Sequence, residues 1–254
     1  MASTAGTFAE LLALSTDSEN SPITITADID AYAEGYDIVT DMGGACDIDL
    51  NGHTISNVYF QGSGFFVSGA NTISDGTLLN IYIDGRAVLR LERVVGSFYL
   101  TTSLNLRKIY RCSLDITFSP LASLTQITND IGYTSTLSNI VVRNAKFVTA
   151  TANSFYTPKG NFSAIVFENC TFTTPNISNP KTSFVFYISG EHSYLVCHDC
   201  TVDSSITDVT LANALSPTYL ICIPFLTAPV TGGTEVTEAQ LQNREYLEKI
   251  GFLP

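Results

Sequence analysis

Six aspartates, Asp28, Asp30, Asp37, Asp41, Asp47 and Asp49, crowd the first fifth of a 254-residue chain. Carboxylates in such a group can act as general acid and base in glycoside hydrolysis, or can hold calcium beside a basic residue that removes a proton from an acidic sugar. The basic residue is missing nearby, because the first Lys or Arg is Arg86. No EF-hand-like or "GGxGxD" spacing organises the aspartates for calcium, so a solvated acidic face is the preferred reading over a metal site. His53 falls at a position read below as inward and is assigned to the core rather than to a base. Cys197 and Cys200 form a CxxC, "CHDC", the spacing of zinc and dithiol sites. A structural zinc site needs a second ligand pair at suitable spacing, and Cys46, Cys112, Cys170 and Cys222 stand singly. Both cysteines of the CxxC are therefore read as wall residues of a repeat, and no cofactor is expected. The sequons at Asn161, Asn169 and Asn176 are read as chance matches in a Ser/Thr-rich chain without a secretory signal.

The elements that must position these residues are written in the composition and in a recurring phrase. Hydrophobic residues make up 45% of the chain and charged residues 14%, which suits one folded domain whose surface is built largely from hydroxyls. A net charge of −12 disfavours nucleic acid and anionic membranes as partners. No stretch approaches the length of a membrane span, and "MASTAGTFAELLALS" lacks the leading positive charge of a secretory signal.

The stretch "AIVFENCTF" at 164–172 returns as "YLVCHDCTV" at 194–202. Searching with the small central residue as anchor finds related phrases at His53, Gly76, Val94, Cys112, Ala145, Cys170 and Cys200. The residue before each anchor is Gly52, Asp75, Arg93, Arg111, Asn144, Asn169 or Asp199, and five of these seven are types that enter the left-handed region cheaply. Side chains alternate faces along a strand, so Ile165 and Phe167 share one face and Glu168 takes the other. One left-handed residue at Asn169 resets the alternation and returns Cys170 and Phe172 to the inside. A strand, a bend and a strand, stacked coil on coil, make a parallel β-helix, the reading favoured here over an antiparallel sandwich. The irregular period follows if loops leave the solenoid between coils.

Thr7 and Glu10 have capping-box spacing, so "GTFAELLALS" is expected to form a short helix over the first coil. The chain then divides into a cap over 1–20, a β-helix over 21–226, a linker over 227–236, and a helix with a tail over 237–254. The insertions after Cys112, Ala145, Cys170 and Cys200 are expected to leave the solenoid along one edge. For the C-terminal helix, Thr237 and Gln240 give a capping box, Val236 and Leu241 a hydrophobic staple, and Gly251 the stop, which predicts a helix from about Glu238 to Ile250. Tyr246, Leu247 and Ile250, with Phe252 beyond them, form a docking stripe that either anchors a partner or folds back on the solenoid.

With its leading helix, "ITITADI" strand and "DLNGHTI" strand, the chain resembles the right-handed parallel β-helix proteins, the pectate-lyase-like solenoids of bacteria and their phages. The "IGFLP" tail is similar to endings of phage structural proteins. The resemblance implies an all-β, right-handed parallel β-helix and a non-enzymatic virion component: a head fibre, decoration or tail-associated protein. It also implies a homotrimer in contact with other virion proteins, and in some cases with a host-surface glycan. The alternatives are a polysaccharide lyase or hydrolase of this architecture and a host-surface adhesin. The acidic N-terminal coils lack the "NTD…DD…GHG…RIK" set of polygalacturonase-like enzymes, and the chain has no Trp for a long sugar groove, although 12 Tyr could replace it.

Overall fold

The structure is a computed structural model that describes residues 3–40, 46–61, 71–101, 103–118, 135–136, 138–148, 154–156, 164–173, 183–187, 192–204, 206, 208–212, 220–227 and 233–250. It is an all-β parallel β-helix solenoid. Every strand pairing among the described residues is parallel, and the strands form one 15-stranded sheet and two three-stranded sheets. The long sheet opens with Ser3–Ala5, pairing with Ile23–Ile25, and ends with Thr234–Glu235, pairing with Leu220–Cys222. It thus takes in residues that the sequence reading gave to the cap and the linker.

Ladder register stacks like residues at one level of successive coils. Ile140, Ile165, Leu195 and Ile221 form one inward column, and Ile116, Val142, Phe167 and Cys197 form another, each residue at most 1% exposed. Near the start, Ile48 pairs with both Ile23 and Ile73, and Ile73 with Leu91. Burying each of these side chains favours the fold by about 1.5–3 kcal/mol, so the solenoid is held mainly by apolar columns. Phe167 and Phe172 are fully buried with ring centroids 5.8 Å apart, and Phe172 pairs in register with Phe147 and Val202, the stacking expected from the phrase.

All seven bend residues have positive φ: Gly52 at 81°, Asp75 at 62°, Arg93 at 55°, Arg111 at 52°, Asn144 at 58°, Asn169 at 52° and Asp199 at 50°. The bends bond to one another along the axis. Asn169 Nδ2 donates to Asn144 Oδ1 at 2.8 Å, and Arg93 Nη2 donates to Asp75 Oδ2 at 2.7 Å. Arg111 lies against the Tyr110 ring, 5.2 Å from its centroid. These contacts explain how arginine, a type with a left-handed penalty, sits at two bends.

The bends do not form one column. Asp75 and Arg93 lie within the long-sheet strands Ile73–Asp84 and Arg86–Leu100, and Arg111 lies between two strands of that sheet, whereas Asn144, Asn169 and Asp199 lie between a strand of the long sheet and a strand of a three-stranded sheet. The first column of inward residues runs Gly76, Val94, Cys112, and continues through the buried Ser138 and Ser193. The second is Ala145, Cys170 and Cys200, leading into the small sheet of Lys146–Val148, Thr171–Thr173 and Thr201–Val202. The expected single edge for the insertions is corrected accordingly. The interval after Phe118 leaves the long sheet, whereas the other three follow the small sheet. Those three intervals also supply Ser154–Tyr156, Ser183–Tyr187 and Asp208–Ala212, which build a third sheet rather than loops alone. His53 is a second correction. Leu50, fully buried, takes the inward place of the first bend, and two left-handed residues, Asn51 and Gly52, carry the chain outward to a His53 whose side chain is 32% exposed.

The Asn169 bend is open to direct test. Asn169→Gly keeps the backbone angle and loses only the exposed bond to Asn144, so it is expected to be tolerated. Asn169→Val is expected to cost about 1–2 kcal/mol, because a β-branched side chain meets the backbone at positive φ. Urea unfolding of the two variants gives the order, and a more stable Val variant would contradict the bend.

Candidate functional site

In the acidic N-terminal coils Asp28, Asp30, Asp47 and Asp49 accept from backbone amides, while Asp37 is exposed. Asp28 Oδ1 accepts from Thr54 N at 2.9 Å and faces His53 Nδ1 at 3.3 Å. The Thr54 amide, with a smaller contribution from His53, holds the Asp28 carboxyl below its ordinary range. Asp30 accepts from Ala33 N at 3.0 Å and from Asn57 Nδ2 at 2.9 Å. Asp47 accepts from Thr72 N on the next coil at 2.6 Å, and Asp49 from Asn51 N at 2.8 Å. Glu34, which the sequence reading passed over, accepts from Phe8 N in the first turn of the cap helix Phe8–Leu14 at 2.8 Å. Such bonds are what Asp and Glu do in turns and at helix starts. Asp41 lies outside the described residues. Among the described residues, no group of three His, Cys, Asp or Glu is arranged to hold a metal ion.

The outward face of the long sheet changes character along the axis. In the early coils Tyr59, Tyr82 and Tyr99 stand in register on consecutive strands, with Tyr59 and Tyr82 edge to face at 4.5 Å. Tyr99 is 45% exposed, Tyr59 and Tyr82 are half-buried, and Leu79 and Val95 on the neighbouring levels are 44% and 58% exposed. In the middle coils the face is ionic. Arg143 donates through Nε to Glu168 at 2.6 Å and through Nη1 to Asp115, joining three consecutive strands. The signal for this ladder was legible only once register was known, since the partners are 25 and 28 residues from Arg143.

In the last coils the face is covered by the C-terminal segment. The helix expected from Glu238 to Ile250 is two helices, Glu238–Leu241 and Arg244–Lys249. Thr237 and Gln240 make the expected capping box, but Asn243 starts a second helix by accepting from Tyr246 N at 3.0 Å. A strong N-cap residue inside the periodic run breaks it. The break lets Val236, Leu241, Tyr246 and Leu247 pack on Val166, Tyr194, Val196, Leu220 and Cys222, the outward residues of three adjacent strands. His198 Nδ1 bonds Glu238 at the start of the first helix, and its Nε2 lies 3.2 Å from Asp199 Oδ2. The Glu238 bond, followed by the Asp199 charge, raises the His198 pKa above its ordinary value. Of the docking stripe, Leu247 is buried against the chain's own sheet, Tyr246 is half-buried beside it, and Ile250 is 37% exposed. Phe252 lies outside the described residues.

Cys197 and Cys200 are wall residues, as the repeat implies. Cys197 is fully buried in the column next to Phe167, and Cys200, on the same coil, is half-buried in the second bend column next to Cys170. No protein family, curated protein or solved structure matches this chain.

Proposed function

We propose that this chain is a non-enzymatic structural component of a bacteriophage virion, a head fibre, decoration or tail-associated β-helix, assembled as a homotrimer with other virion proteins. The observation that carries the non-enzymatic reading is the commitment of Asp28, Asp30, Asp47 and Asp49 to turn and inter-coil amides. A carboxylate oxygen held in this way serves the backbone, and Asp28, whose carboxyl the Thr54 amide holds below its ordinary range, is unsuited to giving a proton to a leaving group. The resemblance of the opening helix and strands, and of the "IGFLP" ending, supports the virion assignment. Contact with a host-surface glycan is favoured as a second reading by the outward Tyr59, Tyr82 and Tyr99 strip, since aromatic rings present flat apolar faces beside polar tips.

The test has two arms. Mass spectrometry of purified phage particles is expected to detect the protein at structural copy number, and gels of unheated protein a trimer. Incubation with acidic polysaccharides, with and without calcium, is expected to release no unsaturated or reducing sugars. Release that is abolished by Asp47→Asn or Asp49→Asn would replace this reading with the enzymatic one.

A further inference from the structure

The "CHDC" motif brings together more than its own two thiols. Cys170 and Cys200 are successive members of the second bend column: the residues after them, Thr171 and Thr201, pair in register, and Thr201 N donates to Cys170 O at 2.8 Å. Neighbouring strands lie about 4.7–4.9 Å apart, within the span of about 4.4–6.8 Å that a disulfide bridges between Cα atoms. The Cys200 thiol lies between two coils, with Sγ 3.3 Å from Phe167 O on the coil of Cys170 and 3.3 Å from His198 O on its own. Cys170 and Cys197 are buried, 1% and 0% exposed, whereas Cys200 is only half-buried.

We infer that Cys200 is an oxidisable thiol that reacts first with peroxide and that Cys170 resolves, forming a disulfide that staples two successive coils. In the first step the Cys200 thiolate takes one oxygen from the peroxide, giving a sulfenic acid and, once protons are balanced, water. In the second the Cys170 sulfur displaces that hydroxyl as a second water and forms the S–S bond. Two thiols and one hydrogen peroxide thus become one disulfide and two waters. The surroundings suit the division of labour. Hydrogen bonds from Cys170 and then Cys197 lower the Cys200 pKa, with the nearby His198 adding to the effect, while the contact with Cys200 and then burial raise that of Cys170, and burial raises that of Cys197. The half-buried thiol is therefore the one that meets peroxide, and the buried Cys170 follows it.

The chemistry stands apart from the function proposed above and is tested on the full chain. Purified protein is treated with hydrogen peroxide, free thiols are blocked under denaturing conditions, and peptides are mapped by mass spectrometry. The expected result is loss of two of the six thiols and a Cys170–Cys200 linked peptide, reversed by dithiothreitol. The link should disappear in Cys170→Ser and in Cys200→Ser and persist in Cys197→Ser. In Cys170→Ser, a trap for sulfenic acids should label Cys200. No loss of thiols, a link from Cys200 to Cys197 in the native chain, or labelling confined to other cysteines would overturn the inference.

Discussion

Phe172→Ala is expected to destabilise the protein by about 3–5 kcal/mol, measured as the shift of the urea unfolding midpoint at constant slope. The ring is fully buried at the start of the small sheet, edge to face with Phe167 at 5.8 Å and tilted against Phe225 at 5.6 Å. Truncation removes the transfer energy of the ring and leaves a cavity between coils. Ladder bonds fix the spacing of those coils, so the walls cannot collapse onto the gap. In a stacked fold each coil touches only its neighbours, so the loss falls on the interfaces with the coils of Phe147 and Val202. Tyr32→Ala, at a site 67% exposed, serves as the control and should stay within about 0.5 kcal/mol. A near-neutral Phe172→Ala would mean that the register placing this ring inside is wrong.

Removal of residues 237–254 is expected to be nearly as costly. Leu247, Leu241 and Tyr246 cover Val196, Leu220 and Cys222, which are now 7%, 1% and 6% exposed. Without the two helices these outward side chains meet water on three adjacent strands, at a cost on the order of 3 kcal/mol from the leucines alone. The uncovered strip is also an apolar patch next to an unpaired strand, the combination that promotes association. The expected outcome is a lower melting temperature, binding of a hydrophobic dye, and aggregation on warming. A truncated chain that melts as the full chain does but no longer assembles would show that the segment serves a partner through Ile250 and the residues beyond it.

The two results together bear on how much was legible beforehand. The strand-bend-strand phrase was local chemistry: parity along a strand and a left-handed residue at a fixed place are properties of a few neighbouring residues. For that reason the seven expected bends all have positive φ, including Arg93 and Arg111, whose types argue against it, whereas the left-handed Asn57, Asn80 and His192 fall outside the phrase and were missed. The caps at Thr7 and Thr237 were legible for the same reason, since a hydroxyl and an amide three residues on decide them. The Asn243 break was legible in principle, but the apolar spacing on either side concealed it.

Register between coils depended on tertiary structure, because nothing local states how many residues separate equivalent positions on two turns of a solenoid. The sequence reading therefore merged two bend columns into one and put His53 inside, and it missed Ser138 and Ser193 because serine is not an expected wall residue. The aspartates show the same limit in chemical terms. A carboxylate has the same formula whether it serves a substrate or an amide, and the amides that hold Asp28 and Asp47 come from positions 54 and 72, one coil away. The sequence by itself determined that coils would form and where seven of their left-handed corners fall. Only the stacking of those coils decided which corners align, which thiols meet, and which face the C-terminal helices cover, since all three are set by hydrogen-bond ladders between residues about twenty to thirty positions apart.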